Sequence, residues 1–325
     1  MGRAARVLVV GSGVAGLVAA GRLADSGLAV TVVDKGRGVG GRLATRRVGA
    51  ARLDHGAQFF TVRDGRLARR VEQWLVDGVA REWCRGFHQP PDGHPRYVGA
   101  TGMTDLAKDL ARGLEVRLST RLVGIRRGAG GWLAEAAEGA TLEAEAVVLS
   151  APVPQGLALL GPALPPTATD ALREVRYSPT LALLAVLDRP SAVPPPGGVR
   201  LEGPGPLSFV ADNHAKGISA VPALTVHASD RTSLEGWDLP DAEVITALSR
   251  AARPWLGDQE PAEAQLARWR YATPVALHPE RCLVAVDGDR PVVFAGDAFG
   301  EARVEGAYLS GLAAAGAVLD RITPS

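Results

Sequence analysis

Only two cysteines, Cys84 and Cys282, occur in the chain. They lie far apart and match no metal-ligand or redox spacing, so the expectation is two reduced thiols in a cytoplasmic protein. Charge of one sign is also lacking: 36 basic residues face 35 acidic ones with no long run of either. That excludes the electrostatic footprint of a nucleic-acid or anionic-membrane partner. No stretch is long and apolar enough to span a bilayer. The N-terminal "MGRAARVLVVGSGVAGLVAAG" imitates an export signal, but glycines interrupt its apolar run and Asp25 and Asp34 follow. The histidines (His55, His88, His94, His214, His227, His278) show no metal spacing, so no metal site is expected. No G-x-S-x-G elbow exists, since Ser12 belongs to a glycine turn and Ser310 to the final helix. Lysine is confined to Lys35, Lys108 and Lys216, and no internal repeat is found. What is present is 46% hydrophobic residues and a mean hydropathy of +0.07, enough for a substantial core.

"RVLVV" (6–10) is a short β-branched run bounded by glycine, the pattern of a buried parallel strand. "VAGLVAAGRLADSG" (14–27) has helical spacing and stops at Gly27, and "LAVTVVD" (28–34) is a second strand. Together they have the size of one right-handed crossover. The 116–150 region resolves into short strands with Gly-rich turns, the last apolar. "RPVVFAGDAFG" (290–300) is a further buried strand, followed by an alanine-rich helix over 304–322. A nucleotide-binding sheet is thus assembled from both ends of the chain. The expected division is 1–58, 97–152 and 286–325 for nucleotide binding, with 59–96 and 153–285 as an interleaved α+β substrate domain. Within the latter, 189–206 reads as a Pro/Gly-rich turn region, and Lys216 lies in the polar loop "ADNHAKG".

Gly11, Gly13 and Gly16 form G-x-G-x-x-G between the first strand and its helix. The first permits the tight turn, the second lets a pyrophosphate approach the backbone, and the third lets helix and strand pack closely. Amide N–H groups at the helix start face the phosphates. Asp34, at the end of the second strand, is positioned to accept hydrogen bonds from the adenosine ribose. Five residues later comes Gly40-Gly41-Arg42. Two glycines permit close approach to the diphosphate, and the arginine adds charge-assisted hydrogen bonds. This order resembles flavoproteins of the amine oxidase and glutathione reductase type. In "AGDAFGEARVEGAYLSG" the resemblance puts Asp297 at a ribityl hydroxyl and aims the positive end of the helix from Val304 at the flavin pyrimidine. It implies an α/β fold with a Rossmann-like FAD-binding domain.

"DHGAQFFTVRD" (54–64), "RYVGATGM" (96–103), "LTVHAS" (224–229), "ARWRYATP" (267–274) and "GDAFGEARVEGAYLSGLAAA" (296–315) resemble the bacterial renalases almost end to end. The resemblance implies non-covalent FAD and oxidation of misreduced nicotinamide dinucleotides, the 2-dihydro and 6-dihydro isomers of NAD(P)H. Hydride passes to the flavin and O2 then takes the electrons as H2O2, a metabolite-repair role. Matching motifs put FAD contacts at Ala15, Asp34, Lys35, Arg42, Ala57, Gln58, Val123, Asp297 and Val304. Phe59 departs from the family's tyrosine, and His55 stands where an apolar residue is usual.

Dihydropyridine oxidation creates an aromatic cation, so no general base is needed. The protein has to stack the ring against the flavin and admit oxygen. Gln58, Phe59, His227, Trp269 and Tyr271 are the candidates for that wall. The alternative is a flavin amine oxidase acting on a small amine, which commonly places a lysine near flavin N5. None of the three lysines reads as such a partner.

Overall fold

The computed structural model describes residues 4–87 and 91–322, so His88 lies outside the described residues. Six strands form the nucleotide-binding sheet, in the order Leu283–Val286, Val292–Phe294, Ala146–Leu149, Arg6–Val10, Ala29–Val33 and Glu115–Arg117. All pairings are parallel except the outermost, where Leu283–Val286 runs antiparallel to Val292–Phe294. Side chains alternate across a strand, and the sheet shows it. Val7 and Val9 face the helices Val14–Asp25 and Val304–Leu319, while Leu8 and Val10 face a three-stranded meander. That meander comprises Leu122–Gly128, Gly131–Ala136 and Thr141–Ala144. The last strand expected in the 116–150 region is therefore two, Thr141–Ala144 and Ala146–Leu149, one for each sheet.

The first helix turns Ala15, Ala19, Ala20 and Leu23 toward the sheet and ends where Gly27 turns left-handed at φ +85°. The final helix is apolar all round because it is covered on several sides. It meets the sheet, the first helix and the helix Gly65–Val76. Gly311 permits the close crossing, since a Cβ there would sit 2.4 Å from the Ala15 carbonyl oxygen. The helix Gly65–Val76 buries Leu67, Val71 and Trp74 among side chains of the nucleotide-binding part.

A second, antiparallel sheet has the order Gly198–Arg200, Leu207–Asp212, Ala223–Ala228, Arg176–Val186 and Glu263–Ala276. Leu181, Leu183, Leu224 and Val226 pack on the helix Asp241–Leu256 through Val244, Leu248 and Ala252. On the opposite face Leu184 and Ala223 cover the hairpin Thr45–Val48/Ala51–Asp54. Thr180, Phe209, His227 and Trp269 look toward the nucleotide-binding sheet and roof the site. Among the described residues no helix is long and apolar enough to cross a membrane, and no group of three or more His, Cys, Asp or Glu is placed to hold a metal ion.

Candidate active site

The site residues leave the carboxyl ends of four parallel strands, where open α/β sheets place their ligands. Gly11 follows Val10, Asp34 follows Val33, Ser150 follows Leu149, and Gly296-Asp297 lie just past Phe294. Gly11 sits at φ +107°, and a Cβ on Gly16 would lie 2.1 Å from the Gly11 carbonyl oxygen and 2.4 Å from Ser150 Oγ. Both positions therefore require glycine, one for conformation and one for space. A Cβ on Gly13 would meet nothing within 4 Å. The N-terminus of the first helix has no side-chain cap and no acid in its first turn. Its amides are left for an anionic ligand.

Asp34 accepts from Ser12 N and Ser12 Oγ with Oδ2, and from Gly36 N with Oδ1, each at 2.7 Å. It clamps the phosphate turn to the loop that follows, while still lining the groove. Lys35 Nζ donates to Gln155 Oε1 at 3.2 Å. Gly40 donates its N–H to Ser12 O at 2.8 Å, and a Cβ on Gly41 would sit 3.6 Å from Gly13 Cα. The two glycine loops thus form opposing lips.

Arg42 donates to Asp297 Oδ1 at 2.7 Å and to the Ala272 carbonyl at 3.2 Å. The expected partners were a diphosphate and a ribityl hydroxyl; here the two side chains hold each other. Burial pushes the Asp297 carboxyl upward, and the Arg42 guanidinium opposes that shift.

Two cavities meet at Arg42. One, of about 520 Å³, is lined by Gly13, Ala15, Arg42, His55, Ala57, Gln58, Phe59, His227, Trp269, Asp297 and Val304, among others. The second, of about 790 Å³, is lined by Gly11, Asp34, Lys35, Gly41, Val123 and Tyr271. Gly13, Arg42, Ser150 and Trp269 line both, so the cavities form one elongated groove. An uncapped helix, an open glycine edge and a long groove with a cation at its middle suit a flavin dinucleotide.

Gln58, Phe59, His227 and Trp269 converge on the smaller cavity. Tyr271 does not. It lies on the larger cavity and packs edge-on against Tyr177 at 5.5 Å. The cause is a bulge: Thr180 pairs with Trp269 but Ser178 pairs with Thr273, so two extra residues of the long strand turn Tyr271 away. Trp269 stacks on His55, with centroids 5.1 Å apart, and donates Nε1–H to the His55 carbonyl at 2.8 Å. Phe59 belongs to an aromatic group with Trp83, Phe87 and Phe209. Burial lowers His55 and His227 to about 4, His55 further through Arg46 and His227 further through Lys216, so both rings are neutral.

Lys216 lies in the turn between strands Leu207–Asp212 and Ala223–Ala228, within "ADNHAKG", yet its side chain points inward. It is fully buried, with Nζ 2.7 Å from Asp54 Oδ2 and 3.4 Å from Gln58 Oε1. Burial lowers its pKa while Asp54 opposes the fall. Sequence reasoning also missed Asp54, Ser150 and Phe209. Ser150 was detectable as the polar residue ending an apolar strand; Asp54 and Lys216, 162 positions apart, leave no local signal.

Solved structures of like fold include one described as a protoporphyrinogen oxidase from Exiguobacterium sp. 255-15. It is 14% identical with a TM-score of 0.74, covering 98% of this chain and 100% of that one. Putrescine oxidase bound to putrescine is 16% identical with a TM-score of 0.69, over 98% and 100% of the two chains. Hydroxyneurosporene desaturase of Rubrivivax gelatinosus is 48% identical over 61 residues, which span 19% of this chain and 12% of the desaturase. Residues 9–74 match the NAD(P)-binding Rossmann-like domain. Residues 72–319 match the flavin-containing amine oxidoreductases, and the chain is an FAD-dependent oxidoreductase belonging to that family.

Proposed function

We propose that the chain oxidises misreduced nicotinamide dinucleotides, the 2-dihydro and 6-dihydro isomers of NAD(P)H, and returns NAD(P)+. One observation carries this reading: one wall of the smaller cavity is built from aromatic rings and neutral side chains. His55 and Trp269 stack, Phe59 and Phe209 adjoin them, and both histidines are neutral. Such a wall holds a planar ring by stacking and offers no base, which matches a donor that becomes aromatic on losing hydride. Asp297, the inner carboxylate, is already paired with Arg42, and Arg200 and Arg303 also line the cavity. Arg303 lies 3.8 Å from Glu301 and Glu202 also lines the cavity, so Arg200 is the lining guanidinium without an ion pair among the described residues; such a group suits a phosphate-bearing substrate better than a cationic amine.

Bound FAD supplies the two-electron acceptor and, with a solvent proton, passes the electrons to O2 as H2O2. Gly13 and the first helix would hold its diphosphate, Arg42 and Asp297 would orient its centre, and the aromatic wall would exclude water beside it. Neither Cys84 nor Cys282 lines the groove, which favours non-covalent attachment. The substrate is a small dinucleotide and repair of the coenzyme pool is the role.

Oxidation of a small amine is the second reading, favoured by Lys216 standing one hydrogen bond behind Gln58. Anaerobic stopped-flow mixing of the holoenzyme with borohydride-reduced NAD separates the two. The flavin absorbance is expected to bleach within seconds. Bleaching by putrescine or another small amine, with none by the dihydro isomers, would move the assignment to amine oxidation.

A further inference from the structure

On the reading of the smaller cavity as a dihydropyridine site, we propose that His55 determines substrate specificity: its Nε2–H donates a hydrogen bond to the carboxamide oxygen on the nicotinamide ring. His55 is only 8% exposed, and its Nδ1 is sealed in the wall without a hydrogen-bond partner. Buried polar atoms are nearly always paired, so this exception calls for a cause. The ring is fixed from two sides, by stacking on Trp269 and by the Trp269 Nε1–H bond to its own carbonyl. It is neutral and carries one proton. A proton on the sealed Nδ1 would create an orphaned buried N–H, which is rarer and more costly than an unused lone pair. The proton therefore resides on Nε2, which makes no bond within the protein and belongs to a residue lining the cavity.

The neighbouring polar side chains of the wall are committed elsewhere. Gln58 Oε1 takes Lys216 Nζ, and Gln58 Nε2 donates to the carbonyls of Asp54 at 2.7 Å and Gly56 at 3.1 Å. The same amide nitrogen, its two hydrogens spent and itself unable to accept, lies 3.4 Å from His227 Nε2, so His227 turns a lone pair there and bonds the His55 backbone with its other nitrogen. Trp269 spends its only N–H on the His55 carbonyl. Of the ring and amide N–H groups of this wall, that of His55 Nε2 is the one without a partner among the described residues. A planar ring lying along this wall presents an in-plane carbonyl to it, and the nicotinamide carboxamide is such a group. The bond forms as well to the electron-rich dihydropyridine as to the product, so it belongs to binding more than to the chemical step.

The test compares borohydride-reduced NAD with borohydride-reduced thionicotinamide adenine dinucleotide, in which sulfur, a weak acceptor, replaces the carboxamide oxygen. Wild-type holoenzyme and His55→Phe, which keeps a flat ring on Trp269, are measured with both. The wild-type ratio of kcat/KM, oxygen over sulfur, is expected to fall about tenfold in His55→Phe, through KM with kcat nearly unchanged. His55→Gln, which retains an N–H donor, should recover part of the ratio. Selective ¹⁵N labelling of histidine in the wild type should report the Nε2–H tautomer, a readout that survives even if the variants lose flavin. An unchanged ratio in His55→Phe overturns the assignment, as does an Nδ1–H tautomer. A shifted flavin spectrum with an unchanged ratio also overturns it, by giving the donor to the cofactor. A wild-type enzyme that oxidises neither dinucleotide fails earlier, at the functional reading itself.

Discussion

His55 and His227 are uncharged because they are buried, and this makes the fold sensitive to acid. Each is held near 4 in the folded chain, whereas in the unfolded chain each titrates near its ordinary value of about 6.5. Between those values the unfolded chain binds protons that the folded chain refuses, so stability rises with pH. The contribution is complete above about pH 6.5 and is lost as pH falls toward 4. Between pH 7.5 and 5 the loss is about 2 kcal/mol per histidine. Urea unfolding of wild type and His227→Phe at the two pH values checks this, and the variant is expected to lose less. Equal slopes would mean that the His227 ring is charged when folded. At this scale the sequence was readable where a residue sits in a motif: Gln58 and Phe59 in "GAQFF", Asp34 after its strand. It was unreadable where a bulge decides direction, as for Tyr271, or where burial comes from remote partners, as for Lys216.

Between elements, the Lys216–Asp54 pair staples the Thr45–Asp54 hairpin to the turn between strands Leu207–Asp212 and Ala223–Ala228 of the roof sheet. Both side chains are 0% exposed. Asp54 Oδ1 also accepts from Thr45 Oγ1 at 2.6 Å and Met103 N at 2.9 Å, so the carboxylate is bonded on several sides. Lys216→Met leaves that carboxylate buried without its cation and should cost about 3–5 kcal/mol in urea unfolding. Combining it with Asp54→Asn removes both charges and should recover most of the loss. A double variant no better than the single one would show that the carboxylate's other bonds, not the ion pair, hold the hairpin. The hairpin itself was not legible in the sequence, since "TRRVGAARLD" interleaves arginines with short apolar residues and buries only part of each strand. The first strand, the first helix and the final helix were legible, because a β-branched run between glycines and an alanine-rich apolar stretch each admit one packing.

For the molecule as a whole, the site exists only because segments 255 positions apart close on each other through Arg42 and Asp297. The crossover signature at one end and the strand-then-helix at the other made that closure foreseeable; the direct pairing of the two side chains was not. Arg42 could serve the fold or the cofactor, and thermodynamic linkage separates these roles. The pair is partly open, at 27% and 16% exposed, and such pairs add little to stability. If Arg42 chiefly grips the cofactor, Arg42→Ala leaves the melting temperature of the flavin-free protein nearly unchanged. It should weaken FAD binding by about tenfold or more through loss of a charge-assisted bond. Because a ligand of the folded state raises stability with the logarithm of one plus its free concentration over Kd, the FAD-loaded variant should melt a few degrees below loaded wild type. Its flavin-to-protein ratio after gel filtration should fall as well. Equal melting losses in loaded and stripped protein, with flavin content unchanged, would make Arg42 a structural cation and leave the phosphate turn alone responsible for holding the dinucleotide.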